Sequence, residues 1–356
     1  MRVVVAMSGG VDSSVAAALL KQAGHEVIGA TMQLFTPPVR NNGNEQAPDA
    51  VTDARKVAAN LGIPHHVIDL QDVFARTIIA DFCEEYRLGR TPNPCVRCNQ
   101  LIKFGMLWEK ARELGTDILA TGHYARIEKD KITGKNLLKK GEDPRKDQSY
   151  FLCRLTQEQL SRTLFPLGNL TKTEVRKIAR ELGLPAATRP ESQEICFIPG
   201  DDYAAFLQSH APTAAVPGPV LDTEGNTLGQ HRGITYYTIG QRKGLGIAAP
   251  SPLYVTAIEP AKNAVIVGAK AQTYADELIA DNLNWISDVP PEFPLTVKAR
   301  VRYRHTEAEA IVSLLDKTSV NVMFSAPQMA VTPGQAVVFY DGDTVIGGGT
   351  IMKQGR

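Results

Sequence analysis

The first 23 residues of the chain contain the feature that most constrains its fold. The apolar run 3–7 is followed by the small polar stretch 8–14 and then by the helix-like stretch 15–23. A buried strand that enters a helix through glycines leaves backbone N–H groups and hydroxyls directed at one site. Gly9 and Gly10 also let a ligand approach the backbone closely. The stretch therefore predicts a cradle for an anion, and phosphate is the expected ligand.

The 8–14 stretch differs from two well-known phosphate-binding motifs. It is not a Walker A loop, because no Gly-Lys-Ser/Thr follows, and it lacks the third glycine of the dinucleotide-binding fingerprint. It could also be an ordinary helix N-terminus that is capped by Ser8 or Asp12. A cap needs one such residue, whereas this stretch holds four polar residues beside two glycines. We therefore favour phosphate binding.

Composition limits the class of protein. The chain has 356 residues, of which 43% are hydrophobic, so it can bury a large core and is expected to form two or three domains. Its formal net charge of +1 means that a polyanionic partner must be held by local basic patches. No apolar run approaches the ~20 residues of a membrane span. We expect a cytoplasmic monomer without a membrane partner, whose five cysteines are catalytic, metal-binding or buried and not disulfide staples.

The N-terminal half alternates between strand and helix patterns. Residues 26–32 and 65–70 are typical of buried strands, residues 50–61 form a helix pattern, and residues 36–48 are typical of a mobile loop. This alternation predicts an α/β fold with a doubly wound parallel sheet. Ligands of such sheets bind at the carboxyl ends of the strands, which is where the 8–14 stretch lies.

Two cysteines follow in the string TPNPCVRCN. Its prolines predict an extended loop that presents Cys95 and Cys98 just before a helix over residues 102–114. The helix dipole and the nearby Arg97 and Lys103 are expected to lower the pKa of these thiols. The alternative is half of a structural zinc site, but no second CxxC or paired histidines complete it.

Other segments carry weaker signals. The turn after the strand pattern 117–120 presents His123 at the same sheet edge, so we favour contact with nucleotide or substrate over an ordinary loop histidine. The basic residues of 139–146 form either a solvated face or a phosphate grip. Cys196 has polar residues before it and proline and glycine after it, which favours a loop.

From residue 201 the pattern becomes all-β after a helix over 202–210 and a small-residue linker over 212–219. Short alternating runs at this spacing predict a small barrel of five or six strands. Within 298–304 the cations alternate with apolar residues, which indicates either a solvated strand face or an RNA-backbone contact. The barrel strands are predicted near residues 279–285, 295–301, 310–314, 319–324, 335–340 and 344–352.

SGGVDSS resembles the SGGxDS loop of the ATP pyrophosphatase (PP-loop) superfamily, whose members adenylate a substrate oxygen and release pyrophosphate. Together with TPNPCVRCN, TGHYAR, KDQSYFL, EICFIPG, GQRKGLG and PGQAVVFYDGD, in this order, it resembles the tRNA-specific 2-thiouridylases, the MnmA family. The resemblance implies a PP-loop catalytic domain over 1–206, a central β-rich domain over 207–274 and a tRNA-contacting C-terminal β-barrel over 275–356. It implies ATP-dependent 2-thiolation of the wobble uridine 34 in the tRNAs for Lys, Glu and Gln.

The resemblance also implies three groups of site residues. Cys98 would be the nucleophile, and Cys196 would carry a persulfide from a cysteine desulfurase or a sulfur-relay protein. The residues expected at ATP are Ser8, Gly9, Gly10, Val11, Asp12, Ser13, Ser14, Met32 and Gly122. The residues expected at tRNA are His123, Lys146, Asp147, Gln148, Arg302, Tyr303 and Gln335.

This chemistry needs ATP with Mg²⁺ to activate the uridine C2 oxygen, and it needs a flipped base. Sulfur transfer then leaves a Cys98–Cys196 disulfide that a reductant must open. The chain departs from the form PNPDxxCN by having Cys95 in place of Asp, which leaves a general base at that position in doubt. Three thiols, Cys95, Cys98 and Cys196, could alternatively hold an iron–sulfur cluster.

Two other functions remain open at the level of sequence. Another PP-loop enzyme, such as an amidotransferase-type synthetase or a 4-thiouridine-forming enzyme, would share the phosphate cradle but would not need both Cys98 and Cys196. A non-catalytic RNA-binding protein could use the barrel and its basic strand alone. The complete phosphate stretch argues against this second alternative.

Overall fold

A computed structural model describes residues 1–35, 50–187, 195–198, 200, 202–210 and 216–355. The loop predicted over 36–48 lies outside these residues, as does most of the polar segment before Cys196. The elements of the N-terminal part are, in chain order, β1 (Arg2–Ala6), α1 (Val11–Gln22), β2 (Glu26–Gln33), α2 (Ala50–Leu61), β3 (His65–Asp69), α3 (Gln71–Phe74), α4 (Ala80–Arg87), α5 (Pro94–Cys98), α6 (Leu107–Glu113), β4 (Leu119–Ala120), β5 (Ala125–Lys129), β6 (Asn136–Lys140), α7 (Gln157–Ser161), β7 (Thr163–Leu164), α8 (Lys172–Glu181) and α9 (Tyr203–His210).

Five of these strands form a parallel sheet in the order β3-β2-β1-β4-β7. Val3, Val4 and Val5 of β1 are completely buried, because helices cover both faces of the sheet. The chain order and the spatial order differ at β1, where the connections turn to opposite sides. Such a switch point opens a crevice at the carboxyl ends of the strands. The predicted doubly wound sheet is confirmed.

The helix that carries the cysteine pair begins earlier than predicted. It starts at Pro94 as α5 and continues through the π-helical stretch Asn99–Met106 into α6. The Asn93 side chain caps it by accepting a hydrogen bond from the Val96 N–H at 3.3 Å. Proline is well tolerated at a first helical position, because its missing N–H would have no partner there. Cys95 and Cys98 therefore lie within the helix, and the prediction that an extended loop presents them is wrong.

The second part of the chain is all β, as predicted. Its strands are β8 (Gly218–Leu221), β9 (Thr227–His231), β10 (Tyr254–Glu259), β11 (Ala264–Gly268), β12 (Tyr274–Trp285), β13 (Leu295–Arg300), β14 (Ala308–Leu314), β15 (Val320–Met329), β16 (Ala336–Asp341) and β17 (Thr344–Gln354). Four form a central sheet in the order β10-β11-β8-β9. Gly218 and Pro219 belong to β8, so the predicted linker is shorter than 212–219.

The last six strands form a barrel in the order β12-β15-β14-β13-β16-β17, which closes where β12 pairs with β17. Closure satisfies the backbone groups that an open sheet leaves at its edges. The N-terminal part adds its β5–β6 hairpin to this sheet, with Leu138 paired to Val345. No helix in the described part of the chain is long and apolar enough to span a membrane.

Leu138→Ala should destabilise both parts of the molecule. Leu138 is completely buried in a hydrophobic cluster that contains Val4 of β1 and Val338 of β16. The cavity left by the truncation is expected to cost about 3 kcal/mol and to lower the melting temperature in calorimetry. Ile132→Ala in the turn of the same hairpin is the control, because Ile132 is 94% exposed. Equal melting temperatures for the two variants would contradict the shared core.

Candidate active site

The cradle predicted over residues 8–14 lies between β1 and α1. Helix α1 begins at Val11, and no side chain of the described residues caps it. The Ser14 hydroxyl donates to the Gly10 carbonyl at 2.8 Å, and the Ser13 hydroxyl accepts from the Ser8 N–H at 3.2 Å. The alternative interpretation, a helix capped by Ser8 or Asp12, is therefore wrong. The N-terminus of α1 remains a place where an anion is favoured.

Two glycines are required by the close packing around this cradle. Gly9 has φ +71°, and a Cβ there would lie 2.8 Å from the Asp53 Cβ. A Cβ at Gly122 would lie 2.8 Å from the Asp12 carbonyl carbon and from the Ser13 nitrogen. The turn after β4 thus lies directly against the cradle. Met32, next to last in β2, is at the same edge, as the sequence predicts.

Lys172 is a residue of this site that the sequence pattern indicates only as the start of a helix. Its Nζ lies 2.6 and 2.8 Å from the two carboxylate oxygens of Asp12, and the Tyr124 hydroxyl donates to the same carboxylate at 2.8 Å. Lys172 is buried, whereas Asp12 is about one-third exposed. A lysine at the first position of a helix opposes the helix dipole. That unfavourable placement is the signal in the sequence that could have identified Lys172.

The Cys196 turn is packed against the helix that carries Cys98. The Phe197 ring contacts Phe74 and Phe82 edge to face, with centroid separations of 5.5 and 5.4 Å. These rings belong to the hydrophobic cluster that includes the buried Cys98. Cys95 and Cys196 are exposed at this place. The packing of Phe197 therefore holds Cys196 close to Cys98, on opposite elements of one cluster.

The surroundings of these thiols contradict the prediction that their pKa values are lowered. Burial raises the pKa of Cys98 to about 11, the nearby ammonium of Lys103 acts in the opposite direction, and the Cys95 thiol raises it further. The pKa of Cys196 is also raised, by the surrounding protein first and then by the Cys98 and Cys95 thiols. The three thiols are thus electrostatic neighbours. The prediction of a lowered thiol pKa is wrong because desolvation outweighs the helix dipole and Lys103.

The structure gives no support to a metal at these thiols. Among the residues that it describes, no three His, Cys, Asp or Glu side chains are arranged to hold a metal ion. The structure therefore supports neither an iron–sulfur cluster on Cys95, Cys98 and Cys196 nor a zinc site at the cysteine pair.

Two of the residues predicted to contact tRNA have buried side chains. His123 lies between the Phe104 and Phe165 rings, its Nδ1 is 2.6 Å from the Thr121 hydroxyl, and burial lowers its pKa well below the ordinary value. Asp147 is 3% exposed and accepts from the Gly141 and Ser149 N–H groups and the Ser149 hydroxyl. In the free protein these internal contacts hold both side chains, and their contacts with tRNA stay predictions.

The two residues next to Asp147 in the sequence are less buried than Asp147. Gln148 is half-buried and accepts from the Tyr124 N–H at 3.1 Å through its side-chain oxygen. Lys146 is half-buried beside it. Both remain predicted tRNA contacts.

The predicted row of cations on the barrel is interrupted. Arg300 is paired with Glu307 at 2.5 Å and with Asp147 at 3.4 Å, so internal carboxylates neutralise its charge in the free protein. Arg302 donates to the Ile239 carbonyl at 3.1 Å and to the Thr332 hydroxyl at 2.6 Å. Asp147, Ile239 and Thr332 belong to segments that are distant in sequence, and a local alternation pattern cannot reveal them.

Tyr303 and Gln335 complete the predicted tRNA set. Tyr303 is half-buried and packs on Phe151 with a centroid separation of 4.4 Å. The Gln335 side-chain amide donates to the carbonyls of Thr91 and Pro92 at 2.8 and 3.1 Å. The tRNA contacts of Tyr303 and Gln335 stay predictions.

The fold and the site define a parallel-sheet nucleotide-binding domain that is followed by two β domains and carries a pair of neighbouring thiols. Three family models match consecutively: a tRNA methyl transferase HUP domain over residues 1–200, a tRNA methyl transferase PRC-barrel domain over 204–269, and an aminomethyltransferase beta-barrel domain over 275–351. Curated relatives match over the whole length.

The "tRNA-specific 2-thiouridylase MnmA" of Heliobacterium modesticaldum is 52% identical over 99% of this chain and 92% of its own length. The "tRNA-specific 2-thiouridylase MnmA 1" of Caldanaerobacter subterraneus subsp. tengcongensis is 53% identical over 100% of this chain and 99% of its own. The chain belongs to the tRNA-specific 2-thiouridylase (MnmA) family.

Lys172→Met should destabilise the protein by about 2 kcal/mol, because it leaves the Asp12 carboxylate without its cation in a partly buried site. The partial exposure of Asp12 makes this cost smaller than for a fully buried pair. Thermal unfolding measures the effect. Lys177→Met on the same helix is the matched control, since its pair with Glu181 is exposed and 3.7 Å long. Equal stability of the two variants would refute a structural contribution of the Asp12–Lys172 pair.

The alkylation rate of Cys98 in the free protein should rise about tenfold per pH unit between about pH 7 and 10, because only the thiolate reacts and the raised pKa keeps it protonated. Lys103→Met should slow alkylation at each pH, since the ammonium favours the thiolate. Lys110→Met, which removes an exposed cation on α6, serves as the control. Peptide mass spectrometry measures the modified fraction, and a plateau near neutral pH would show that the thiol is not suppressed.

Proposed function

We propose that this protein is an ATP-dependent tRNA uridine 2-sulfurtransferase. Its reaction converts the wobble uridine at position 34 of the tRNAs for Lys, Glu and Gln to 2-thiouridine and releases AMP and pyrophosphate. The observation that carries the proposal is the neighbouring position of the Cys98 and Cys196 thiols in a chain with a phosphate cradle. The names of the full-length relatives, which specify a 2-thiouridylase that acts on tRNA, support the same reaction.

The cradle over residues 8–14 binds the ATP phosphates in this proposal. Backbone N–H groups at the start of α1 and the hydroxyls of Ser8, Ser13 and Ser14 are suited to phosphate oxygens. The Asp12 carboxylate fits a Mg²⁺ ion, which when bound neutralises phosphate charge. In the free protein Lys172 neutralises this carboxylate and so reduces its repulsion of the incoming polyanion.

Adenylation must come before sulfur transfer. The C2 oxygen of uridine is a poor leaving group until AMP is attached to it, which releases pyrophosphate. The uridine has to leave the base stack to bring C2 near both the cradle and the thiols. The proposed contacts of the tRNA are His123, Lys146, Asp147, Gln148, Arg302, Tyr303 and Gln335. The Tyr303–Phe151 ring pair is a proposed stacking surface.

Sulfur transfer then uses both thiols. In one route the terminal sulfur of a Cys196 persulfide attacks C2, AMP departs, and the Cys98 thiolate attacks the Cys196 sulfur and leaves the other sulfur on the base. In the other route Cys98 first attacks the Cys196 sulfur and releases hydrosulfide, which displaces AMP. Both routes end in a Cys98–Cys196 disulfide, and a thiol reductant restores the enzyme with two electrons.

The sulfur enters from outside the chain. A cysteine desulfurase or a sulfur-relay protein is the proposed donor, because a persulfide must be delivered as such to the exposed Cys196. A monomer suffices for this reaction, since the chain itself contributes the cradle, both thiols and the barrel.

Nucleoside mass spectrometry tests the proposal. Unmodified glutamate tRNA is incubated with the protein, ATP, Mg²⁺ and either a persulfide donor or free sulfide. Wild-type protein should form 2-thiouridine only with ATP. Cys98→Ser and Cys196→Ser should abolish the product with the persulfide donor and retain it with free sulfide, because free sulfide bypasses the relay.

Cys83→Ser is the matched control, since this half-buried cysteine lies on α4 and has no role in the proposed transfer. It should keep activity with both sulfur sources. An absence of thiolated nucleoside together with tRNA-dependent AMP release would preserve adenylation and overturn the sulfur assignment. An absence of both products would favour a non-catalytic RNA-binding protein.

A further inference from the structure

The string TPNPC, which leads into the Cys95–Cys98 helix, is bound by the barrel and by the central domain. The Thr91 N–H donates to the Pro333 carbonyl at 2.8 Å, and its hydroxyl donates to the Thr238 hydroxyl at 3.1 Å. The Gln335 amide donates to the carbonyls of Thr91 and Pro92. The barrel loop 330–335 and the central domain therefore both bind the catalytic domain at the entrance to its thiol helix.

Backbone atoms of the barrel loop, as well as the Gln335 side chain, contact Thr91. Gly334 has φ +90°, and a Cβ at this position would lie 3.0 Å from three backbone atoms of Thr91. The barrel holds Gln335 from its other side, because the Ile351 N–H donates to the Gln335 carbonyl at 2.8 Å and the Gly334 N–H donates to the Ile351 carbonyl at 2.8 Å. Gln335 is thus mounted on the rigid start of β16.

The segment between the contact and the thiol is stiff. Pro92 and Pro94 have fixed φ angles, and each also restricts the residue before it. The Asn93 side chain then caps the helix on the Val96 N–H. A displacement of the Thr91 and Pro92 carbonyls is therefore passed on to Cys95 and Cys98 and is not absorbed by a flexible linker.

The same barrel loop also contacts a predicted tRNA residue. Arg302 donates to the hydroxyl of Thr332, which in turn donates to the Ala330 carbonyl at 2.8 Å. Arg302 also donates to the Ile239 carbonyl, next to Thr238. One loop thus connects the proposed tRNA surface with the entrance to the thiol helix.

We propose that Gln335 is a positioning residue whose side-chain amide clamps the Thr91 and Pro92 carbonyls and thereby sets the position of Cys98 for sulfur transfer. This inference rests on the proposed function and deepens it: the C-terminal barrel takes part in sulfur transfer besides contacting tRNA. The clamp acts through the helix and does not touch the reacting atoms.

Gln335→Met and Gln335→Glu test the clamp. Methionine keeps the length and removes the donor, whereas glutamate places an acceptor against two acceptors, so its effect should be larger. With a persulfide donor and saturating tRNA, the single-turnover rate of 2-thiouridine formation should fall about tenfold or more, because small misplacements of reacting groups are costly. The rate of pyrophosphate release at saturating tRNA should stay within about twofold of wild type, since the clamp does not touch the cradle.

A second readout needs neither tRNA nor ATP. Iodoacetamide should alkylate Cys98 at least about threefold faster in both variants, because a loosened helix exposes the buried thiol. This measurement remains informative even if wild-type protein forms no 2-thiouridine, so a failure of the proposed function can be distinguished from a failure of the clamp. Thr238→Val, which removes only the hydroxyl contact to Thr91, should change both readouts in the same direction by a smaller factor.

Gln354→Met is the matched control. Gln354 is also a barrel glutamine whose amide donates across a domain boundary, to the Thr256 carbonyl at 3.4 Å, but this bond joins β17 to β10 and not to the TPNPC string. It should leave transfer and alkylation unchanged. Full recovery of transfer at saturating tRNA would overturn the proposal and leave Gln335 as a tRNA contact only. Unchanged transfer and alkylation in the Gln335 variants would equally overturn it.

Discussion

The packing of Phe197 against Phe74 and Phe82 is the interaction on which the proposed chemistry depends. It fixes the Cys196 turn against the cluster that contains Cys98, where the two thiols are electrostatic neighbours. The same cluster buries Cys98 and raises its pKa to about 11. One contact thus brings the reacting groups together and also keeps the nucleophile protonated at rest. At pH 7 such a pKa leaves about one thiol in ten thousand ionised.

A protonated resting thiol is consistent with a sulfur-transfer enzyme that meets reactive sulfur only during turnover. The Lys103 ammonium already opposes the effect of burial, and any movement that brings Cys98 closer to this cation or to water would lower its pKa. Premature attack of Cys98 on a Cys196 persulfide, which would release hydrosulfide and leave the disulfide, is slow while Cys98 is protonated, because the thiolate is the attacking species. Burial therefore separates the resting state from the reacting state.

The cradle and the barrel strands were predictable because their signals are local. Glycines beside hydroxyls mark an anion cradle within seven residues, and alternation marks each barrel strand within about six. The direction of the Cys98 pKa shift was not predictable, since it is caused by burial among side chains from segments that are distant in the sequence. The Gln335 amide donates to a carbonyl that lies 244 positions away in the sequence, and Lys172 donates to Asp12 across 160 positions. Such partners are products of the tertiary fold.

The barrel and the catalytic domain are built as one unit and not as two tethered modules. The β5–β6 hairpin extends the barrel sheet, and a single hydrophobic cluster contains Val4 of the parallel sheet and Tyr340 of the barrel. A barrel that only captured RNA could do so from the end of a flexible linker, with no shared core. Because the proposed reaction brings the wobble base to the cradle and to both thiols in one geometry, it requires a fixed distance between the proposed tRNA surface and Cys98. The shared core provides that distance before tRNA arrives.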